Sequence, residues 1–82
     1  MTKSIFSDKY GRFREYLVGA RKKAGLTQIQ LAELLSRPQS YVSKYERGER
    51  RLDVIEFFDV AYAIGIDPYA FLQSLEIDQS PQ

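Results

Sequence analysis

Helix stop and start signals recur along this chain and leave room for little besides a set of short helices. Residues 5 to 37 hold no proline, and Tyr10, Phe13, Leu17, Ala20 and Ala24 recur at helical spacing. This predicts a first helix opened by Ser7 or Asp8. Arg21, Lys22 and Lys23 ahead of Gly25 close it, placing cations at the negative end of the dipole and a conformationally free residue beyond. Thr27-Gln28-Ile29-Gln30 then reads as a capping box, with Leu26 set to pack on Leu31 and a helix body over 29–35. Ser36-Arg37-Pro38 breaks that helix. Pro38 is expected in the first turn of a third helix over 38–47, which Gly48 stops.

The pattern repeats in the second half. Asp53 is set to cap a fourth helix, with Glu56 three positions on, Leu52 facing Phe57, and Gly65 as the stop. Glu56, Asp59 and Ala63 form one narrow stripe on it, while Phe57, Phe58, Ala61, Tyr62 and Ile64 surround the rest, which predicts a central, mostly buried helix. Ile66-Asp67-Pro68 opens a fifth helix, expected to run to about Leu75. No strand-like alternation and no internal repeat interrupts the series, so the expected fold is an all-α, compact five-helix bundle.

With 82 residues the chain has the size of one domain. Residues 1–75 are expected to form it, and 76–82 to be a polar tail, frayed over Asp78-Gln79-Ser80-Pro81-Gln82. No apolar run of about 18 residues could span a bilayer, so no membrane role is expected. The opening residues lack the apolar stretch of a secretory signal and cysteine is absent, which together predict a cytoplasmic protein without disulfides. Histidine is absent as well, removing the commonest metal ligand and general base. No phosphate-cradling glycine loop and no metal-ligand cluster is found. Neither an enzyme, a metal site nor a cofactor is expected.

A net charge of +1 hides a division of the chain. All twelve Lys and Arg fall in residues 1–51 against five acids, a net +7, whereas residues 52–82 hold six acids and no base. Such a protein can present one cationic face to a polyanion. The third helix carries the outward face that most needs explaining. Val42 and Tyr45 mark its apolar side, and Ser40, Ser43, Lys44 and Arg47 stand opposite at i, i+3, i+4 and i+7, with Gln39 beside them and no acid among them. A merely solvated face is usually built from better helix formers than serine. Small serines let a helix backbone approach a surface, Gln pairs bidentately with adenine in the major groove, and Lys donates to guanine O6 and N7.

The sequence resembles the Cro and phage-repressor helix-turn-helix family, often called XRE-like, over roughly residues 17–72. The resemblance is carried by Arg21-Lys22-Lys23-Ala24-Gly25-Leu26-Thr27-Gln28, by Leu31-Ala32-Glu33-Leu34-Leu35, and by the run from Gln39 to Arg50. It implies a bacterial or phage transcription regulator of double-stranded DNA, with helix 3 in the major groove and Gln39, Ser40, Ser43 and Lys44 toward base edges. Gln28 matches a position that donates to a phosphate and braces the first residue of the reading helix; a first-turn polar residue in a capping arrangement serves both readings. Arg47 and Arg50 match positions near the sugar-phosphate backbone. Three roles stay open for Tyr41: touching a thymine methyl, lying along a phosphate, or covering the turn. Glu46 matches an acid that pairs with a helix 1 arginine, here Arg21, as architecture.

Two positions depart from the family. Ser36 stands where glycine is favoured, which asks a side-chain-bearing residue to adopt a left-handed conformation at a cost of order 1 kcal/mol. Pro38 stands where a serine cap is common, leaving open which of Gln39 and Ser40 points into the groove. The resemblance implies a repressor that binds a palindrome as a homodimer, with half-sites about 34 Å apart and no small-molecule ligand. Tyr69, Phe71, Leu72, Leu75 and Ile77 are candidate dimer contacts, and core packing accounts for Phe71 and Leu72 equally well. An antitoxin or adaptor-type protein-binding module on the same fold is the alternative.

Overall fold

A computed structural model describes the backbone of residues 2–79 and the side chains of residues 9–76. Five helices follow one another: α1 (Thr2–Lys23), α2 (Gln28–Leu35), α3 (Gln39–Arg47), α4 (Val54–Ile64) and α5 (Pro68–Gln79), with no strand among the described residues. The chemistry of the helix ends explains most of these limits. Thr27 Oγ1 accepts from the Gln30 N–H at 3.0 Å while Gln30 Oε1 accepts from the Thr27 N–H at 2.9 Å. Asp53 and Glu56 make the same reciprocal pair at 2.7 and 3.0 Å. Each box satisfies two amides that would otherwise lack partners at a helix start. Ser36 ends α2 at φ 56° and ψ 42°, the left-handed conformation that its position demands.

Four limits or burials differ from the sequence expectation. The first helix begins at Thr2 rather than at Ser7 or Asp8, because a capping residue favours a start without enforcing one and neither proline nor glycine occurs in residues 2–10. Pro38 is the N-cap of α3, in extended conformation at ψ 156°, and not a residue of its first turn. Helix α5 continues past Leu75 to Gln79, so Asp78 and Gln79 belong to it. Helix α4 is less buried than expected: Phe57, Val60, Ala61 and Ile64 face the core, while Val54, Ile55 and Tyr62 are exposed. Apolar residues surround most of α4, but only one side of it meets neighbours.

The core is made where four helices meet. Leu17 of α1, Leu31 and Ala32 of α2, Val42 and Tyr45 of α3, and the inner face of α4 are buried together. Helix α2 packs on α3 and α4, α1 on α3 and α5, and α4 on α5. Burying each large side chain of this kind contributes roughly 1.5–3 kcal/mol. An aromatic layer extends the core toward the N-terminal half of α1, where Phe13 lies 5.4 Å from both Tyr10 and Phe57 and 5.8 Å from Phe71, measured between ring centroids. The α1 residues outside the strongest sequence resemblance therefore support α4 and α5, and the packing fixes how α3 is presented.

Candidate nucleic-acid interface

Helix α3 turns Tyr41, Val42, Tyr45 and Glu46 inward. Gln39, Ser40, Lys44 and Arg47 are exposed and Ser43 is half-buried, so the stripe read from the sequence forms one outward surface. Its C-terminal end is held by α1. Arg14 Nη1 donates to the Glu46 carbonyl at 2.7 Å, one of the carbonyls left open at a helix C-terminus. The same guanidinium lies under Gly48, where an added Cβ would sit 3.1 Å from Arg14 Cζ. With φ at +82°, this position has two reasons to be glycine.

The N-terminal end is held by a chain of polar contacts that starts in the interior. Arg21 donates to both carboxylate oxygens of Glu46, at 2.7 and 3.1 Å, and its third nitrogen donates to the Leu26 carbonyl at 2.8 Å. Both side chains of the pair are under one-tenth exposed. Removing one member of such a pair typically costs 3–5 kcal/mol, because the other charge stays buried alone. Gln28 Nε2 donates to Glu46 Oε1 at 2.8 Å, and Gln28 Oε1 accepts from Gln39 Nε2 at 3.1 Å. The Gln39 amide thus has its orientation set, leaving its carbonyl oxygen and one N–H for a partner outside the chain.

The outer arginines are already engaged. Arg47 donates to Ser43 Oγ and, in a fork at 3.0 Å on each arm, to Glu49. The Glu49 contact raises the Arg47 pKa and holds the Glu49 carboxyl below its usual range, the hydrogen bond being the larger cause in both. Arg50 donates to both oxygens of Glu56 at 3.0 and 2.6 Å. That contact, followed by the Asp53 backbone amide, lowers the Glu56 carboxyl to about 2. The Tyr41 ring is only 8% exposed and lies beneath Arg37 and Arg50, whose Cζ atoms are 4.5 and 4.8 Å from its centroid. Burial first and Glu56 second raise its hydroxyl pKa. Tyr45, on the inner side of α3, has its hydroxyl pKa raised by burial and then by Glu46.

This geometry has counterparts among known proteins. A family profile described as helix-turn-helix matches residues 19–71, more than half of the chain. A solved structure, an XRE-family like protein from Pseudomonas syringae pv. tomato str. DC3000, superposes with a TM-score of 0.92 at 52% identity, over 96% of this chain and 96% of that one. The chain belongs to the XRE-type helix-turn-helix family. No curated protein matches it. The family is one of DNA-binding regulators and not of enzymes, which places α2 and α3 as the helix-turn-helix pair.

In this helix-turn-helix protein several contributors were not legible beforehand. Arg14 lies two helical turns before Arg21 on the same side of α1, a seven-residue spacing that could have singled it out. Arg37, Glu49 and Glu56 gave no such signal, since their partners are set by how the loops fold around α3. Away from α3, the candidate dimer residues divide: Leu75 is 9% exposed and packs within its own chain, Leu72 is 41% and Tyr69 64% exposed, and the Ile77 side chain lies outside the described residues. Tyr69 joins Phe58 at 5.7 Å, and Phe58 stacks on the exposed Tyr62 at 6.1 Å. No helix among the described residues is long and apolar enough to cross a membrane, and none of them forms a cluster able to hold a metal ion.

Proposed function

We propose that the protein is a sequence-specific transcription regulator, acting as a cytoplasmic repressor, that binds a two-fold symmetric operator as a homodimer with α3 in the major groove. The observation that carries this reading is the acid-free outward face of α3, with the Gln39 amide held in one orientation through Gln28 and the buried Arg21–Glu46 pair. Gln39, Ser40, Ser43 and Lys44 read base edges, and Gln28, Arg47 and Arg50 contribute contacts to the backbone. Selection of bound sites from a random duplex pool at physiological salt tests it. Enrichment of a palindrome with half-sites about one helical turn apart supports a dimeric reader. No enrichment would overturn the reading.

The exposed apolar face of α4 and α5, formed by Val54, Ile55, Tyr62, Tyr69 and Leu72, supports self-association. It equally suits a different protein partner, as in an antitoxin or adaptor. Sedimentation of the isolated protein separates the two: a monomer at micromolar concentration favours the second reading.

A further inference from the structure

Helix α3 has two flanks, with Gln28 beside one and Arg50 beside the other. At about 100° per residue, Tyr41 lies roughly 160° around the helix from Gln39. An α-helix with its side chains is about 10–12 Å across and the major groove about 12 Å wide, so a helix inserted there has a phosphate backbone on either side. The Gln39 flank carries Gln28. The opposite flank carries Arg37, Tyr41, Arg50 and Glu56.

Within that cluster the charges are unequal in their freedom. Arg50 is held in a fork by Glu56. Arg37 has no ion pair among the described residues and rests on the Tyr41 ring. Its backbone is restrained from both sides: its N–H donates to the Ala32 carbonyl at 3.0 Å, and the following Pro38 confines it to extended conformations. The preceding Ser36 is fixed in the left-handed turn. A guanidinium stacked on a buried ring, on a restrained backbone two residues before the reading helix, has little freedom left to lose when it meets an anion.

We propose that Arg37 is a further phosphodiester contact of the DNA-binding surface, gripping the strand beside Arg50 on the side of α3 opposite Gln28, with Tyr41 as the platform of both guanidiniums and Glu56 holding Arg50 in place. The inference rests on the DNA-binding reading above. Tyr41 is a positioning residue in it, since its ring touches the guanidinium and not the phosphate.

The test uses the full chain and two labelled duplexes, one bearing the enriched site and one scrambled, titrated by fluorescence anisotropy over a range of salt. Arg37→Ala should weaken binding to both duplexes by a similar factor and lower the salt slope by about one, with sequence preference unchanged. Arg37→Lys should restore the slope. Tyr41→Phe should behave as wild type because the ring remains, and Tyr41→Leu should weaken binding with the thermal melt used to confirm folding. An unchanged slope in Arg37→Ala, with wild type binding normally, overturns this inference alone. A changed sequence preference overturns it too, by making Arg37 a base reader. Failure of the wild-type protein to bind either duplex overturns it together with the DNA-binding reading.

Discussion

Gln39 and Arg47 lie on one helix face, yet the protein holds them in different ways. Gln39 is oriented from behind by Gln28, whereas Arg47 is occupied from the side by Ser43 and Glu49. Gln39→Ala or Lys44→Ala should therefore change which sequences are preferred, while Arg47→Ala should weaken all sequences alike and reduce the salt slope by about one. Glu49→Gln frees Arg47 from a competing carboxylate and should strengthen binding about two- to fivefold. Anisotropy titrations on matched and scrambled duplexes check all four, and equal behaviour of the three alanine variants would dissolve the division of roles. Glu56 gives a pH dependence. Its carboxyl is lowered from 4.5 to about 2 in the folded chain, so its contribution to stability is complete above pH 4.5 and is lost as pH falls toward 2. The melting temperature of Glu56→Gln should lie below that of the wild type at neutral pH, and the gap should close across that acid interval.

At the scale of the elements, the turn between α2 and α3 stores strain in a known place. Ser36 holds φ 56°, and its N–H donates to carbonyls of Ala32 and Glu33 to finish α2. Glycine would hold the same conformation without a Cβ penalty, although it adds freedom to the unfolded chain. Ser36→Gly should thus stabilise the protein by about 0.5–1 kcal/mol, seen as a rise of a few degrees in Tm. A fall would mean that the serine side chain makes a compensating contact. Helix starts and stops of this kind were readable within a few residues, because capping boxes, left-handed stops and prolines act over three or four neighbours. The start of α1 and the placement of Pro38 were not, since several positions there satisfied the same local rules.

At the scale of the whole molecule, the basic half of the chain supplies the α1–α3 side and its loops, and the acidic half supplies α4 and α5. The exposed apolar residues of α4 and α5 lie on the acidic half, whose charge would repel DNA. Tyr69→Glu, a change at a position 64% exposed, should leave folding intact and shift a homodimer toward monomer in sedimentation. DNA affinity should fall with it, since two linked half-sites bind more tightly than one. A variant that stayed dimeric would remove this face from the interface.

Five helices, most of their ends and the polar composition of the α3 surface were legible in the residue order, because each follows from contacts among near neighbours and from the 3.6-residue period. Folding in three dimensions was needed to bring Arg14 to the carbonyl of Glu46, 32 residues away, and the Leu52 amide to the Tyr10 hydroxyl across 42 residues. It alone placed Arg37 and Arg50 on one ring and left one side of α4 uncovered. These depend on the angles at which helices pack and on where loops return. Helical periodicity states which residues share a face, but not what another part of the chain brings to meet it.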